Sequence, residues 1–161
     1  AEKGIQDRIA RLMSIKGSQS VDSLHKKLGH IMWDFVGMGR EREGLEKAIV
    51  ALKELKKEFW SDVRIPGKAD DLNVELEKAL RLADFIEIGE LMARDAHDRE
   101  ESCGGHFRLE HQTPEGEALR HDDQFAYVSC WEYQGEDQDP VLLKEPLDYE
   151  FVVRQQRNYK N

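Results

Sequence analysis

The chain has 161 residues, enough for one domain with a sizeable core or one domain with an appendage. Hydrophobic residues make up 39% and charged residues 35%, and no apolar run approaches the roughly 20 residues that a membrane-spanning helix requires. The net charge of −9 argues against a nucleic-acid partner, because such binders present a basic face.

The charge is polarised along the chain. Residues 1–68 hold 14 Lys/Arg against 10 Asp/Glu, whereas residues 69–161 hold 10 against 23. Ala1-Glu2-Lys3-Gly4 lacks the apolar core of a signal peptide, and a chain without an initiating Met is expected to be processed or cut from something longer. Two cysteines, Cys103 and Cys130, do not make a disulfide framework and fit a reducing compartment.

Four helices are predicted in order. The first covers about Lys3 to Lys16, with Ile5, Ile9, Leu12 and Met13 at helical spacing and Gly17 as its stop. The second begins at Ser20, a capping residue, and carries Val21, Leu24, Leu28, Ile31, Met32 and Phe35 on one face before Gly37-Met38-Gly39-Arg40 ends it. The third covers about Glu41 to Asp62, with Leu45, Ala48, Ile49, Leu52, Leu55 and Phe59 on one stripe, and Pro66-Gly67 breaks the chain behind it. The fourth covers about Asn73 to Glu101. Its apolar arc takes in Leu76, Leu80, Ala83 and Ile86, then Phe85, Ile88, Met92 and Ala96, and a stripe that broad predicts burial on two sides, one against the bundle and one against something else.

After His106 the period changes. Phe125, Tyr127, Ser129, Trp131 and Tyr133 alternate with Ala126, Val128, Cys130 and Glu132, which predicts a strand with aromatics on one face. Leu142–Lys144 and Tyr149–Val153 read as two further short strands, bounded by Pro140 and Pro146, and 134–139 has the composition of a hairpin loop. The expected fold is mainly α: an up-and-down bundle of three to four helices over 1–103, followed by an irregular tail over 104–161. Short β-strands in that tail pack on the bundle or on a partner.

No arrangement for independent catalysis stands out. Cys103-x-x-His106 has half of a zinc spacing, but His121 and Cys130 stand nine apart and complete no second pair. Glu100 and Glu101 would raise the pKa of a nucleophilic Cys103. Gly104-Gly105 lacks the following Lys and the strand–helix context of a phosphate loop, and no dinucleotide fingerprint is present. Trp60 follows Phe59 directly, and two large aromatics there cannot share one stripe, so Trp60 is expected to make a contact outside the bundle.

The order of motifs resembles the carboxy-terminal part of the flavoprotein subunit of succinate dehydrogenases and fumarate reductases. Arg99-Glu100-Glu101-Ser102 with Gly104, Gly105 and His106 carries most of the likeness, since many relatives show Glu-Ser-Arg-Gly-Ala-His there and then a pair of aspartates, here Asp122-Asp123. Leu28-Gly29-His30-Ile31-Met32-Trp33 with Gly37, and Gly44-Leu45, support it. Tyr127 through Tyr133 and Leu143-Lys144-Glu145-Pro146 resemble the closing segments of a subfamily that works with an iron–sulfur subunit and a haem-bearing membrane anchor. Cys103 stands where many relatives have Arg, and Gly105 where many have Ala. If that arginine pairs across to the flavin domain, the pair is lost here or moved to Arg99 or Arg108.

The resemblance implies an intact subunit that carries FAD and interconverts succinate and fumarate, with electrons passing through iron–sulfur clusters toward a quinone. The family's flavin-linked histidine, proton-donating arginine and dicarboxylate-binding residues lie in earlier domains, and none maps onto these positions. No catalytic, flavin-binding or metal residue is therefore expected here, and the fragment alone is expected to be inactive. The expected role is a scaffold beside the flavin domain that helps form the surface met by the iron–sulfur subunit, with the cytochrome b anchor reached indirectly. Peripheral placement on the cytoplasmic side of the inner membrane follows from the same resemblance. Arg99, Glu101, Ser102, Cys103, Gly104, Gly105, His106, Arg108 and Trp60 are the interface candidates. The polarised charge supports a rival reading, a stand-alone helical protein-binding module, and Cys103 with His106 a weaker one, a metal or thiol enzyme.

Overall fold

A computed structural model describes residues 2–135 and 138–155. Four long helices are present: α1 (Glu2–Ser14), α2 (Val21–Val36), α3 (Arg42–Asp62) and α4 (Val74–Asp98). A single turn of helix, α5 (Asp122–Phe125), follows later. The two-residue strands β1 (Gln19–Ser20), β2 (Gly39–Arg40), β3 (Val63–Arg64) and β4 (Phe107–Arg108) sit at helix ends, and β5 (Tyr127–Glu132) with β6 (Val141–Pro146) makes a hairpin. The mainly α reading with a small β tail holds.

The helical stripes build the core. Leu45, Ala48, Leu52, Leu55 and Phe59 of α3 are buried against Leu24 and Leu28 of α2 and Leu82, Ile86 and Ala93 of α4. From α1, Leu12 enters this core, but Ile5 is exposed. Ser20 caps α2 by accepting from the Ser23 amide at 3.1 Å. Asn73 caps α4 by accepting from the Leu76 amide at 3.0 Å, while its Nδ2 donates to the carbonyls of Pro66 and Lys68 and closes the loop around Gly67. The parallel pair β1–β3 ties the start of α2 to the end of α3, and β2–β4 ties the start of α3 to the segment beyond α4.

Two expectations are corrected. The first helix ends at Ser14, and Gly17 is needed for another reason than stopping it: a Cβ there would lie 1.9 Å from the Asp62 carbonyl oxygen. The strand over Tyr149–Val153 does not form; Phe151 and Val153 are 88% and 83% exposed, since the segment finds no ladder partner beyond the hairpin. The second apolar side of α4, with Phe85, Ile88 and Met92, is exposed within this chain, and what it faces lies outside these residues. Two residues of the hairpin loop, 136 and 137, lie outside the described residues.

Beyond α4 the chain folds back over the bundle's upper end. Asp139 in the hairpin loop pairs with Lys53 of α3 and Arg94 of α4, at 2.9 and 2.5 Å, and Trp131 donates through Nε1 to Asp95 at 3.0 Å. The β5–β6 hairpin is thus fastened along α3 and α4.

Candidate functional site: the cap over the helix ends

Helix termini leave unsatisfied carbonyls and amides that must find partners once they are covered by protein. Here they are met by alternate residues of one short segment. His106, Arg108 and Glu110 alternate along β4 and the turn behind it, and each addresses a different helix end. Arg108, 1% exposed, donates through Nη1 to the carbonyls of Ala96, His97 and Arg99 at 2.9, 3.3 and 3.5 Å, closing the carboxy end of α4. Its Nε reaches Glu110 at 3.2 Å. The other carboxylate oxygen of Glu110 accepts from the Arg42 amide, the first of α3, at 2.5 Å. A cation therefore stands at a helix carboxy end and an anion at an amino end, as the helix dipole favours.

His106 joins the third end. Its Nε2 lies 2.9 Å from the Arg99 carbonyl and its Nδ1 2.9 Å from Arg40 Nη1. Arg40 in turn donates through Nε to the carbonyls of Val36 and Gly37, at 3.2 and 2.9 Å, closing α2. Arginine can only donate, so Nδ1 accepts and the imidazole is the neutral tautomer carrying its proton on Nε2. Burial holds the His106 pKa below its ordinary value; the bond to the Arg99 carbonyl opposes this, and the Arg40, Arg108 and Arg99 guanidinium charges reinforce it. Burial and the charges of Arg108 and His121 lower His111 in the same way. A histidine whose folded pKa is depressed binds fewer protons folded than unfolded, so stability is complete above the ordinary value near 6.5 and is lost as pH falls through it. The urea midpoint is therefore expected to drop between about pH 7 and pH 5, with a shallower drop in His106→Gln than in the parent protein.

Ser102 and Glu101 lock the segment from behind. The fully buried Ser102 Oγ accepts from the Arg108 amide at 2.8 Å and donates to the Arg108 carbonyl at 3.2 Å. Glu101, 3% exposed, pairs with Arg99 at 3.0 Å and accepts from the His121 amide at 2.9 Å. Arg99 also donates to the carbonyls of Phe125 and Tyr127, at 3.0 and 3.1 Å, and lies 4.8 Å from the Tyr127 ring centroid. Tyr127 donates to Asp98 at 3.1 Å. Asp95 and Asp98 stand at the end of α4 that disfavours carboxylates; they serve as anchors for Trp131 and Tyr127.

Cys103 and His106 exchange backbone hydrogen bonds across the two-residue loop Gly104-Gly105. Gly104 has φ +59 and Gly105 is not among the positive-φ glycines, which makes the turn type II′. Nothing lies within 4 Å of a Cβ at either glycine. Gly104→Ala is expected to cost about 1–2 kcal/mol from the backbone alone, and Gly105→Ala close to nothing, in a urea titration of both variants.

The structure thus brings together Arg99, Glu101, Ser102, Cys103, Gly104, Gly105, His106 and Arg108, and leaves Trp60 apart. Trp60 is half-buried, stacked under the Arg11 guanidinium at 4.1 Å and edge-on to Phe59. Arg99 and Arg108 are both committed within the chain, so neither is free to replace an arginine at position 103. Sequence reasoning missed Arg40, although a cation directly behind a helix end is a recognisable capping signal. His106 has both ring nitrogens engaged, so it is not poised as a metal ligand or a base for Cys103. Both cysteines are free thiols, and among the described residues no cluster of His, Cys, Asp and Glu could hold a metal ion. The double glycine closes a hairpin instead of joining a strand to a helix, so this loop does not have the geometry of a phosphate cradle.

A capped helical bundle carrying the Glu-Ser…Gly-Gly-His segment at its top has known relatives. The model of the family described as "Fumarate reductase flavoprotein C-term" matches residues 25–159. The chain belongs to this family. The fumarate reductase flavoprotein subunit of Proteus vulgaris is 32% identical over 108 residues, covering 67% of this chain and 18% of the relative. The succinate dehydrogenase flavoprotein subunit of Bacillus subtilis is 22% identical over 154 residues, covering 96% of this chain and 25% of the relative. Among solved structures, a quinol–fumarate reductase with menaquinol molecules superposes with a TM-score of 0.80 at 26% identity, covering 94% of this chain and 25% of that one. The chain spans about a fifth of the length of the curated relatives it matches. Among the described residues, no helix is long and apolar enough to cross a membrane.

Proposed function

We propose that this chain is the non-catalytic carboxy-terminal part of the flavoprotein subunit of a succinate dehydrogenase or fumarate reductase. In this reading the intact subunit carries FAD in its larger part and interconverts succinate and fumarate. Electrons then run through an iron–sulfur subunit toward a quinone held by a membrane-anchor cytochrome b subunit, with the subunit peripheral on the cytoplasmic side of the inner membrane. The family match across residues 25–159 is the observation that carries the proposal.

Within the subunit, the chain acts as a scaffold. The physical support is how the recognised motif is spent. His106, Arg108, Glu110, Ser102 and Glu101 are consumed in tying three helix ends and α5 together, so none of these five is poised as an acid, base or nucleophile. What faces outward at this end is the Cys103–Gly105 tip and the surface beside it. That surface, with Trp60 at the opposite flank, is the region we assign to contacts with the flavin domain and the iron–sulfur subunit.

The test is a denaturing blot of native lysate, split into soluble and membrane fractions and probed with an antibody against this chain. A membrane-fraction band several times heavier than 18.7 kDa is expected. A soluble band at 18.7 kDa would overturn the proposal and leave the stand-alone binding module, for which the polarised charge of the two halves speaks.

A further inference from the structure

Once the helix ends are accounted for, one face of α4 remains unexplained. Phe85, Ile88 and Met92 lie at i, i+3 and i+7, which puts them on one stripe, and they are 42%, 53% and 47% exposed. The stripe does not end in open solvent. Asp95 and Arg99 continue it by one and two turns, and Met92 itself helps line a cleft of about 410 Å³ together with Arg40, Asp95, Arg99, His106 and Tyr127. The surface is therefore apolar along the helix and charged at its upper end.

Arg99 is already paired with Glu101, and Asp95, the carboxylate that shares the cleft with Arg40, already accepts from Trp131. Arg40 uses Nε on two carbonyls and Nη1 on His106, and its Nη2 has no hydrogen-bond partner among the described residues. A half-buried guanidinium edge beside a neutral imidazole is suited to one carboxylate oxygen, since charge-assisted bonds are the stronger ones. A phosphate, with close to two charges, would meet Asp95 with more repulsion and find no further free donor on His106.

We infer that this face receives a segment that is apolar where it lies along Phe85, Ile88 and Met92 and that places a carboxylate on Arg40 in the cleft. The donor is the flavin-binding part of the same subunit. The inference rests on the proposed function above, and the relatives' length leaves most of such a subunit to supply the segment. It adds to that reading the chemistry of the contact and the residue that reads it.

The test uses the full-length subunit. With Arg40→Lys, a carbodiimide joins the introduced amine to a carboxylate in direct contact, and mass spectrometry finds the partner. An amide to an Asp or Glu outside these 161 residues is expected. Cross-links confined to Asp95 or to other residues of the same chain, or joining two copies, would overturn the inference. Because Arg40 also closes α2, hydroxyl-radical oxidation of the unaltered subunit gives a second reading. Met92 is expected to oxidise at least about fivefold more slowly than in denatured protein, and any smaller slowing, as for a half-exposed side chain, would count against the contact. Failure of the underlying proposal looks different, since the polypeptide would then run at 18.7 kDa in the blot and contain no such partner.

Discussion

Arg108→Met is expected to lower the unfolding free energy by about 3–5 kcal/mol, the range found when one partner of a buried charged network is removed. The magnitude follows from what the guanidinium does. It is 1% exposed and supplies the donor for the Ala96 and His97 carbonyls at the end of α4, with a longer contact to the Arg99 carbonyl. Methionine keeps the apolar stem but not the guanidinium, so what is lost is donor capacity in a place that water does not reach, together with the volume of the head group. Each buried carbonyl left without a partner costs about 1–3 kcal/mol. Glu110 loses its cation but keeps the Arg42 amide, so the amino end of α3 should be affected less.

The check is a urea titration followed by helical circular dichroism. Arg108→Lys is expected to recover only part of the loss, because one ammonium cannot span carbonyls on both sides of a helix end and also reach Glu110. A loss under about 1 kcal/mol for the methionine variant would mean that the cap over α4 is not held by this side chain.

Much of this architecture is legible in the sequence because helical stripes and caps are local signals. Leu45, Ala48, Leu52, Leu55 and Phe59 announce the buried face of α3 by spacing alone, and Ser20 and Asn73 announce where α2 and α4 begin. The strand of alternating aromatics is likewise found as β5. What fails is information that sits in a partner. Tyr149–Val153 has strand composition, but a strand exists only where a ladder accepts it, and β6 ends at Pro146 with the chain leaving the sheet. The exposed Phe151, Val152 and Val153 carry no local sign of that.

The motif around His106 is the more instructive case. Read along the sequence, Cys103, His106 and the paired carboxylates invite chemistry, because they are the residue types that catalytic and metal sites use. Read in space, His106, Arg108 and Glu110 are alternate residues of one short segment, β4 and the turn behind it, laid across the ends of three helices. The decisive partner of His106 is Arg40, 66 positions away, and its role is visible only once β2 and β4 are paired. Family resemblance pointed to this segment, while the reason it is built this way lies in the helix ends.

Gly17→Ala is expected to cost about 3 kcal/mol, the upper part of what forced overpacking typically takes, and to loosen α1 from the bundle. Gly17 is not there for a left-handed backbone, since its φ is not positive. It is there because the turn after α1 passes against the end of α3: a Cβ would sit 1.9 Å from the Asp62 carbonyl oxygen and 2.0 Å from its carbon. Both obstacles are backbone, so no rotamer can relieve the overlap, and the two segments must move apart. That motion pulls on neighbours that fix the turn, namely the Ser18 amide and hydroxyl bonds to the Asp62 carboxylate at 2.7 and 2.8 Å and the bridge between Lys16 and Arg64. Gly29→Ala in α2 supplies the opposite case. Nothing lies within 4 Å of a Cβ there, and alanine in a helix interior is expected to add about 0.5–1 kcal/mol of stability. Measured side by side in urea, the two Gly→Ala changes should move the midpoint in opposite directions. A neutral Gly17→Ala would show that α1 does not dock against the end of α3 as described, because the close approach of Gly17 to Asp62 is the narrowest contact holding it there.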